Sequence, residues 1–251
     1  SSLSVITYGA APMPLQTIRE AISRFPGARF INAFGQTETA STITMLPPDD
    51  HVLDGSPEEI ETKLRRLTSI GKPLGDVEVD IVDEEGQPVT TGEQGEIVAR
   101  GSRMMAGYWR EESATRDTIR GGWIYTGDLG YQDDDGYIFL SGRAKDFIKR
   151  GGEMVSPEEV EQVLRSHPEL DDAAVIGVPD LEWGEEVRAV VVARSDRVTE
   201  EEIIEFCRDK MAGFKRPRSV VFVRELPRNV MGKVLKRDLR EEFSHPVENR
   251  E

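Results

Sequence analysis

Residues 142–157 read GRAKDFIKRGGEMVSP. Four cations (Arg143, Lys145, Lys149 and Arg150) fall within eight residues, ahead of the pair Gly151-Gly152 and a helix start. Ser156-Pro157-Glu158-Glu159 is that start: a capping box with proline in the first turn, where its missing N–H costs nothing. The basic run therefore sits at a joint, with one kind of structure before it and another after it. The whole chain of 251 residues carries a net charge of −15, so positive charge gathered at a joint needs a reason. Solvated surface charge is the plain one. Here, however, the cations alternate with Ala144, Phe147 and Ile148 and abut two glycines, which let a backbone come close to a ligand.

Upstream of the joint the pattern changes twice. Residues 4–8 are β-rich and end in Gly-Ala-Ala-Pro; residues 14–25 put Leu15, Ile18, Ile22 and Phe25 on one helical face; residues 29–34 form a second strand running into Gly35. This first block, to residue 68, is α/β, with a loop rich in Pro and Asp at 47–57. Residues 69–142 are dense in strand and turn signals: VEVDIVD at 77–83, GEIVARG at 95–101 and GYIFLSG at 136–142. Downstream, AAVIGV, VRAVVVAR and SVVFV read as strands. A helix is expected over 157–166, another from the Thr199 capping box to Met211, and a last one over 234–243. Interleaved helices and strands make this a small α+β domain. Cys207 lies on the same helical face as Ile203 and Met211, which reads as core.

Composition excludes several classes. No apolar run reaches the ~20 residues of a membrane span. The first residues lack a basic region and a long apolar core, so no signal peptide is expected. A single cysteine excludes an internal disulfide and any CxxC metal site, and a reducing, cytoplasmic setting follows. Strong acidity disfavours nucleic acid as a partner, yet leaves room for a nucleotide in a locally basic cleft.

Three further stretches carry candidate chemistry. In NAFGQTE (32–38) an aromatic ring can stack on a base, a hydroxyl can meet a phosphate, and a carboxylate can share Mg²⁺ with phosphate oxygens. The plain alternative is a polar turn with Phe34 in the core. In YTGDLG (125–130) Asp128, placed after a strand, either caps backbone amides or accepts ribose hydroxyls. In PRNVMGK (227–233) Lys233 is either a solvated loop lysine or a charge that meets an oxyanion.

Together these motifs, in this order, resemble the adenylate-forming superfamily of acyl-CoA synthetases, firefly-type luciferases and peptide-synthetase adenylation domains. TYGAAPMP, NAFGQTET, YTGDLG, GRAKDFIKRGGEMVSPEEVE and PRNVMGKVLKRDL carry the resemblance, which covers essentially the whole chain. It implies ATP-dependent activation of a carboxylic acid to an acyl-adenylate, then transfer to coenzyme A. On that resemblance Ala10, Asn32 and Phe34 line the adenine, Thr37 touches phosphate, and Glu38 holds Mg²⁺. Asp128 and Arg143 take the ribose. Lys145 is the hinge residue; Lys149, Gly151 and Gly152 serve thioester formation; and Lys233 bridges the substrate carboxylate and the α-phosphate. Residues 1–142 would then be the C-terminal part of a large AMP-binding domain, 143–146 a hinge, and 147–251 a small α+β lid. The family's glycine-rich phosphate loop is not found, so the chain reads as the C-terminal portion of a longer enzyme, inactive by itself. Phe34 stands where the family often has Tyr. GFKRPRS (213–219) points to the fatty-acid branch, with a coumarate-type aryl-acid ligase or a non-catalytic nucleotide-binding module as alternatives. Lys215, Arg216 and Arg218 are candidate contacts for a coenzyme A phosphate.

Overall fold

The computed structural model describes residues 2–11, 13–195, 197–230 and 232–244. Pro12 of the TYGAAP stretch and Met231 of the lysine loop lie outside them. The chain divides into two compact units, residues 1–141 and 142–251.

The first unit begins with a parallel crossover. Strand β1 (Val5–Gly9) is followed by helix α1 (Leu15–Arg24) and by β2 (Arg29–Gln36), which pairs parallel with β1. β3 (Ser41–Leu46) then runs antiparallel to β2, helix α2 (Pro57–Arg66) follows, and the short β4 (Lys72–Pro73) pairs with β3. Ile18 of α1 packs with Leu46, Leu67, Tyr137 and Phe139, and Leu15 and Ile22 lie against that cluster, as the helical spacing predicts. Phe25 does not join them. It sits beyond the helix end with non-helical dihedrals and is exposed, because leaving the helix turns it off the apolar stripe. Helix α2 was not foreseen, although Ser56-Pro57-Glu58-Glu59 repeats the capping box seen at residue 156 and both of its reciprocal bonds form.

A second, mainly antiparallel sheet follows. It comprises β5 (Glu78–Val82), β6 (Gly95–Arg100), helix α3 (Glu112–Thr118), β7 (Ile119–Arg120), β8 (Trp123–Gln132) and β9 (Ile138–Arg143), in the order β5-β6-β8-β7 with β9 also on β8. Ile70, Ile81, Ile97 and Ile138 form its core. Asp128, expected after a strand, lies inside β8. Glu96 faces Leu129 and Val98 faces Tyr125, so residues 126–128 stand opposite Ile97 alone. This bulge requires Gly127 to adopt φ 71°, which side chains resist.

The second unit contains β10 (Ile148–Arg150), β11 (Glu153–Val155), α4 (Pro157–Arg165), β12 (Leu170–Asp180), β13 (Gly184–Ala193), α5 (Glu200–Phe206), β14 (Ser219–Phe222) and α6 (Lys236–Phe243). Its sheet order is β11-β10-β13-β12, with β14 parallel on β13. The long strands β12 and β13 are apolar on both faces because both are covered. Ala173, Val175, Val187, Ala189 and Val191 meet α4 and α5, while Ala174, Ile176, Val178 and Val190 meet α6. Helix α5 stops at Phe206, short of Met211, and Met211 packs on the same cluster from the following turn. Cys207 is fully buried and burial pushes its thiol up, as fits a core position rather than a nucleophile. Glu161 anchors α6 to α4: its buried carboxylate meets Lys236 at 2.9 Å and Arg165 at 3.3 Å and accepts from Val175 N–H at 2.9 Å. No helix among the described residues is long and apolar enough to cross a membrane.

One buried imidazole makes the first unit sensitive to pH. His51 Nδ1 bonds the Pro47 carbonyl at 2.9 Å, so its Nε2 accepts from the Tyr8 hydroxyl at 2.9 Å in the neutral form. Burial pushes the imidazole below its ordinary value, against the raising effects of the Pro47 carbonyl and of Asp50. A folded pKa below the unfolded value of about 6.5 means that the unfolded chain binds the proton first. The stabilisation from neutral His51 is complete above that value and is lost as pH falls through it. Urea midpoints of the first unit should therefore decline from pH 7 to pH 5, with a slope that His51→Gln reduces; an equal slope in that variant refutes the assignment.

Candidate active site

In the first unit the candidate groups collect at the carboxyl ends of β1 and β2, where open α/β sheets commonly place ligands. The two strands approach closely here: a Cβ on Gly9 would come 2.1 Å from the Ala33 carbonyl oxygen. Ala10 follows, exposed and left-handed at φ 64°, an uncommon conformation for a residue with a side chain. Asn32 is half-buried and its amide donates to the Ser69 carbonyl at 3.1 Å, so this amide braces the sheet. The Phe34 ring is half-buried and packs on the isoleucine cluster and on Ile43, Val77 and Ala99; much of it belongs to the core.

Beyond β2 the chain makes a single 3₁₀ turn, Thr37–Thr39, which leaves Thr37 exposed and Glu38 half-buried. Thr39 is fully buried and ties the turn: its hydroxyl accepts from Gln36 N–H at 3.0 Å and lies within donating distance of the carbonyls of Gln36 and Ser41. Ala40 and Ser41 then both take positive φ, 51° and 84°. Gln36 links this turn to the second sheet. Its amide donates to the Thr126 carbonyl at 2.9 Å and stands 3.5 Å from Asp128 Oδ2. Asp128 is buried, and its N–H donates to the Thr126 hydroxyl at 3.1 Å. Gln36, within the same motif, thus ties the turn that carries Thr37 and Glu38 to the strand that carries Asp128. Tyr108, also unforeseen, donates its O–H to Glu38 Oε1 at 2.7 Å, and that bond, with burial, pushes the phenol up and keeps it a donor. It is 70 residues away in sequence, with no local signal.

In the second unit, Arg143 is half-buried, and Lys145 is exposed in the 3₁₀ turn Ala144–Asp146. The next residue, Asp146, is buried and pairs with Arg240 at 2.9 Å, so the chain is anchored immediately after Lys145. Gly151-Gly152 is the two-residue turn of the β10–β11 hairpin, with φ 60° and 88°. Positive φ at both central positions is what the twist of such a hairpin demands. Gly151 has a second constraint: a Cβ there would stand 2.5 Å from the Trp183 ring, and its N–H donates to the Trp183 carbonyl at 2.8 Å. Lys149 is exposed, and its backbone N–H donates to Glu185 at 2.7 Å.

Not all of the basic run is solvated. Arg150 is 5% exposed, its guanidinium donates to the Phe214 carbonyl at 3.1 Å, and its Nε has no hydrogen-bond partner among the described residues. Burial, helped by Arg218, pushes it down. It lines an open cleft of about 410 Å³ with Gly151, Trp183, Phe214, Arg216 and Arg218. Three arginines and two aromatic rings, against the single carboxylate of Glu153, suit an anionic group joined to a flat ring. Lys215 holds its ammonium 2.7 Å from both Glu159 oxygens. Lys233 is exposed on a tight loop. Its N–H donates to Asn229 Oδ1 at 2.9 Å, its carbonyl accepts from Asn229 N–H at 2.9 Å, and Arg228 clamps the loop through the Gly232 carbonyl and Asp172.

Family models match both units: "AMP-binding enzyme" over residues 1–109 and "AMP-binding enzyme C-terminal domain" over residues 159–233. The chain belongs to the AMP-binding, adenylate-forming enzyme family. The 2-succinylbenzoate–CoA ligase of Bacillus cereus (strain Q1) is 39% identical over 241 residues, which is 96% of this chain and 47% of that protein. Among solved structures, o-succinylbenzoate CoA synthetase (MenE) from Bacillus subtilis with its acyl-adenylate intermediate superposes with TM-score 0.81 at 35% identity, over 94% of this chain and 46% of that one. ATP-bound MatB from Rhodopseudomonas palustris gives TM-score 0.83 at 34% identity, over 96% and 45%. This AMP-binding chain therefore spans about half the length of the curated relatives it matches.

The glycine pair gives a graded prediction. Gly151→Ala should destabilise the second unit by roughly 2 kcal/mol or more, from left-handed strain of ~1–2 kcal/mol plus the clash with Trp183. Gly152→Ala meets nothing within 4 Å and should cost only the strain. Urea unfolding of the two variants checks the order; equal losses refute it.

Proposed function

We propose that this chain is part of an AMP-forming acid–CoA ligase. In that reaction a carboxylate oxygen attacks the α-phosphorus of ATP and pyrophosphate leaves. The thiol of coenzyme A then attacks the acyl carbon and AMP leaves. The observation that carries the reading is the Gln36 link, which ties the turn carrying Thr37 and Glu38, at the end of β2, to the bulge that carries Asp128, at positions matching the family's nucleotide motifs.

On this reading Asp128 accepts from the ribose hydroxyls, Ala10 and Asn32 edge the adenine with the exposed side of Phe34, and Thr37 contacts phosphate. Glu38 fits a Mg²⁺ ligand in one respect that can be checked. A single carboxylate would hold Mg²⁺ together with phosphate oxygens and water, the usual manner for this ion, and the Glu38 carboxylate is held in place by the Tyr108 hydroxyl. Bound there, Mg²⁺ would neutralise charge on the triphosphate. Lys233 orients the substrate carboxylate against the α-phosphate and offsets charge as it develops. Lys149 and the Gly151-Gly152 turn serve the thioester step, and the Arg150–Trp183–Arg218 cleft takes the nucleotide end of coenzyme A. Lys145 is the pivot between the two half-reactions, since Asp146 is already anchored to α6.

The acid is best read as aromatic. GFKRPRS suggested a fatty acid, but the curated relatives at 38–39% identity are 2-succinylbenzoate–CoA ligases, which favours the aryl-acid alternative. The full-length protein that carries this chain should catalyse ATP–pyrophosphate exchange with 2-succinylbenzoate and not with palmitate. Asp128→Ala should weaken an acyl-adenylate mimic by ~1–3 kcal/mol, the cost of stranding buried hydroxyl partners. Arg218→Ala should raise the KM for coenzyme A and leave exchange intact. Exchange with no added-acid dependence, or mimic binding indifferent to Asp128, sinks the proposal and favours a non-catalytic nucleotide module.

A further inference from the structure

The segment between β6 and α3 holds Glu38 at two points. Met105 N–H donates to the Glu38 carbonyl at 2.9 Å, and the Tyr108 O–H donates to Glu38 Oε1 at 2.7 Å. The first bond fixes the backbone that carries the carboxylate; the second fixes the carboxylate itself. The segment is in turn tied down. Arg103 donates to the Thr42 carbonyl at 2.5 Å and lies 3.3 Å from Asp76. Tyr108 N–H donates to the Thr115 hydroxyl at 2.9 Å, and that hydroxyl donates to the Glu111 carbonyl at 2.9 Å. Gly107 permits the close approach to α3: at φ 148°, a Cβ on it would stand 2.8 Å from Thr115 Cγ2.

A short O–H···O⁻ bond to one carboxylate oxygen has two consequences. It removes rotational freedom that a glutamate would otherwise lose when it binds a cation. It also occupies Oε1 with a neutral donor, which leaves the negative charge in place and Oε2 as the oxygen free to take an ion. The Tyr108 side chain is itself about a third exposed, so packing alone does not account for the placement of its hydroxyl. We propose that Tyr108 is a positioning residue for the metal-binding carboxylate: its O–H presents Glu38 Oε2 to the divalent cation that accompanies ATP. The inference rests on the reading of Glu38 as that cation's ligand.

The test uses the full-length protein, a non-hydrolysable ATP analogue, and Mn²⁺ as an EPR-visible probe. Tyr108→Phe keeps the ring and removes one oxygen. It should weaken Mn²⁺ in the ternary complex by about 10-fold, the lower end of what loss of a ligand's hydrogen-bond partner typically costs. Affinity for the analogue in EDTA should not change. In pyrophosphate exchange the half-saturating Mg²⁺ concentration should rise by a similar factor, while the rate at saturating Mg²⁺ recovers. A merely structural role would lower the unfolding midpoint and the rate at every Mg²⁺ concentration without moving that midpoint in metal. Glu38→Gln is run beside it. If Glu38→Gln loses Mn²⁺ and Tyr108→Phe does not, the positioning role is wrong and the ligand reading stands. If neither variant loses Mn²⁺, the ligand reading fails and the inference falls with it. If Tyr108→Phe weakens Mn²⁺ in the wild-type background and adds nothing to Glu38→Gln, the bond acts through Glu38 as proposed.

Discussion

The ladder between β6 and β8 breaks where three residues, Thr126, Gly127 and Asp128, face the single residue Ile97. Much of the candidate nucleotide site depends on that break. Regular pairing would send alternate side chains to opposite faces and leave Asp128 at the mercy of the strand's register. The bulge re-aims it instead, and the cost is a left-handed residue that only glycine takes easily. Two bonds hold the bulge from within: the Thr126 hydroxyl donates to the Ile97 carbonyl at 2.7 Å, and Gly127 N–H donates to Glu96 at 2.8 Å. Gln36 then fastens the bulge to the end of β2. The sheet that ends in Thr37 and Glu38 and the sheet that carries Asp128 thereby meet at a defined rim.

The second unit answers the question raised by its basic run in two ways. Lys145 and Lys149 remain in water, as charge runs usually do, whereas Arg150 is buried and under-satisfied. A buried cation with no direct ion pair among the described residues is expensive, although Glu186, Asp180 and Glu182 offset part of its charge. Its persistence beside Arg216 and Arg218 in an open cleft makes sense if an anion completes the set. The glycine pair likewise has two causes. Its left-handed turn is required by the hairpin and its bareness by Trp183, before any ligand is considered. A functional reading of Gly151 and Gly152 is layered on a structural one.

Several elements were legible from local pattern because their causes are local. Side-chain caps start α4 and α5 where Ser156 and Thr199 stand, with the reciprocal box bond formed at Thr199, and the double-sided apolar runs of β12 and β13 announce buried strands. The box at Ser56 carried the same signal for α2, hidden by its position after a loop-like stretch. Phe25 misled because periodicity continues past the point at which the backbone leaves the helix. Asp128 misled because Thr-Gly-Asp reads as a turn, and only pairing with β6 shows it to be a bulge within a strand.

By itself, the sequence determined the order of the two units, their α/β and α+β character, the family, and which residue types could meet a nucleotide, because spacing, capping chemistry and contiguous motifs are properties of the chain. Tertiary structure alone decided which of those groups act together. The Gln36 link to Thr126, the Tyr108 hold on Glu38, the seclusion of Arg150 and the pairing of Lys215 with Glu159 all join residues between 56 and 90 positions apart, or bury a charge among them. Such contacts depend on how sheets register and where loops are anchored, and no local pattern of polar residues encodes either.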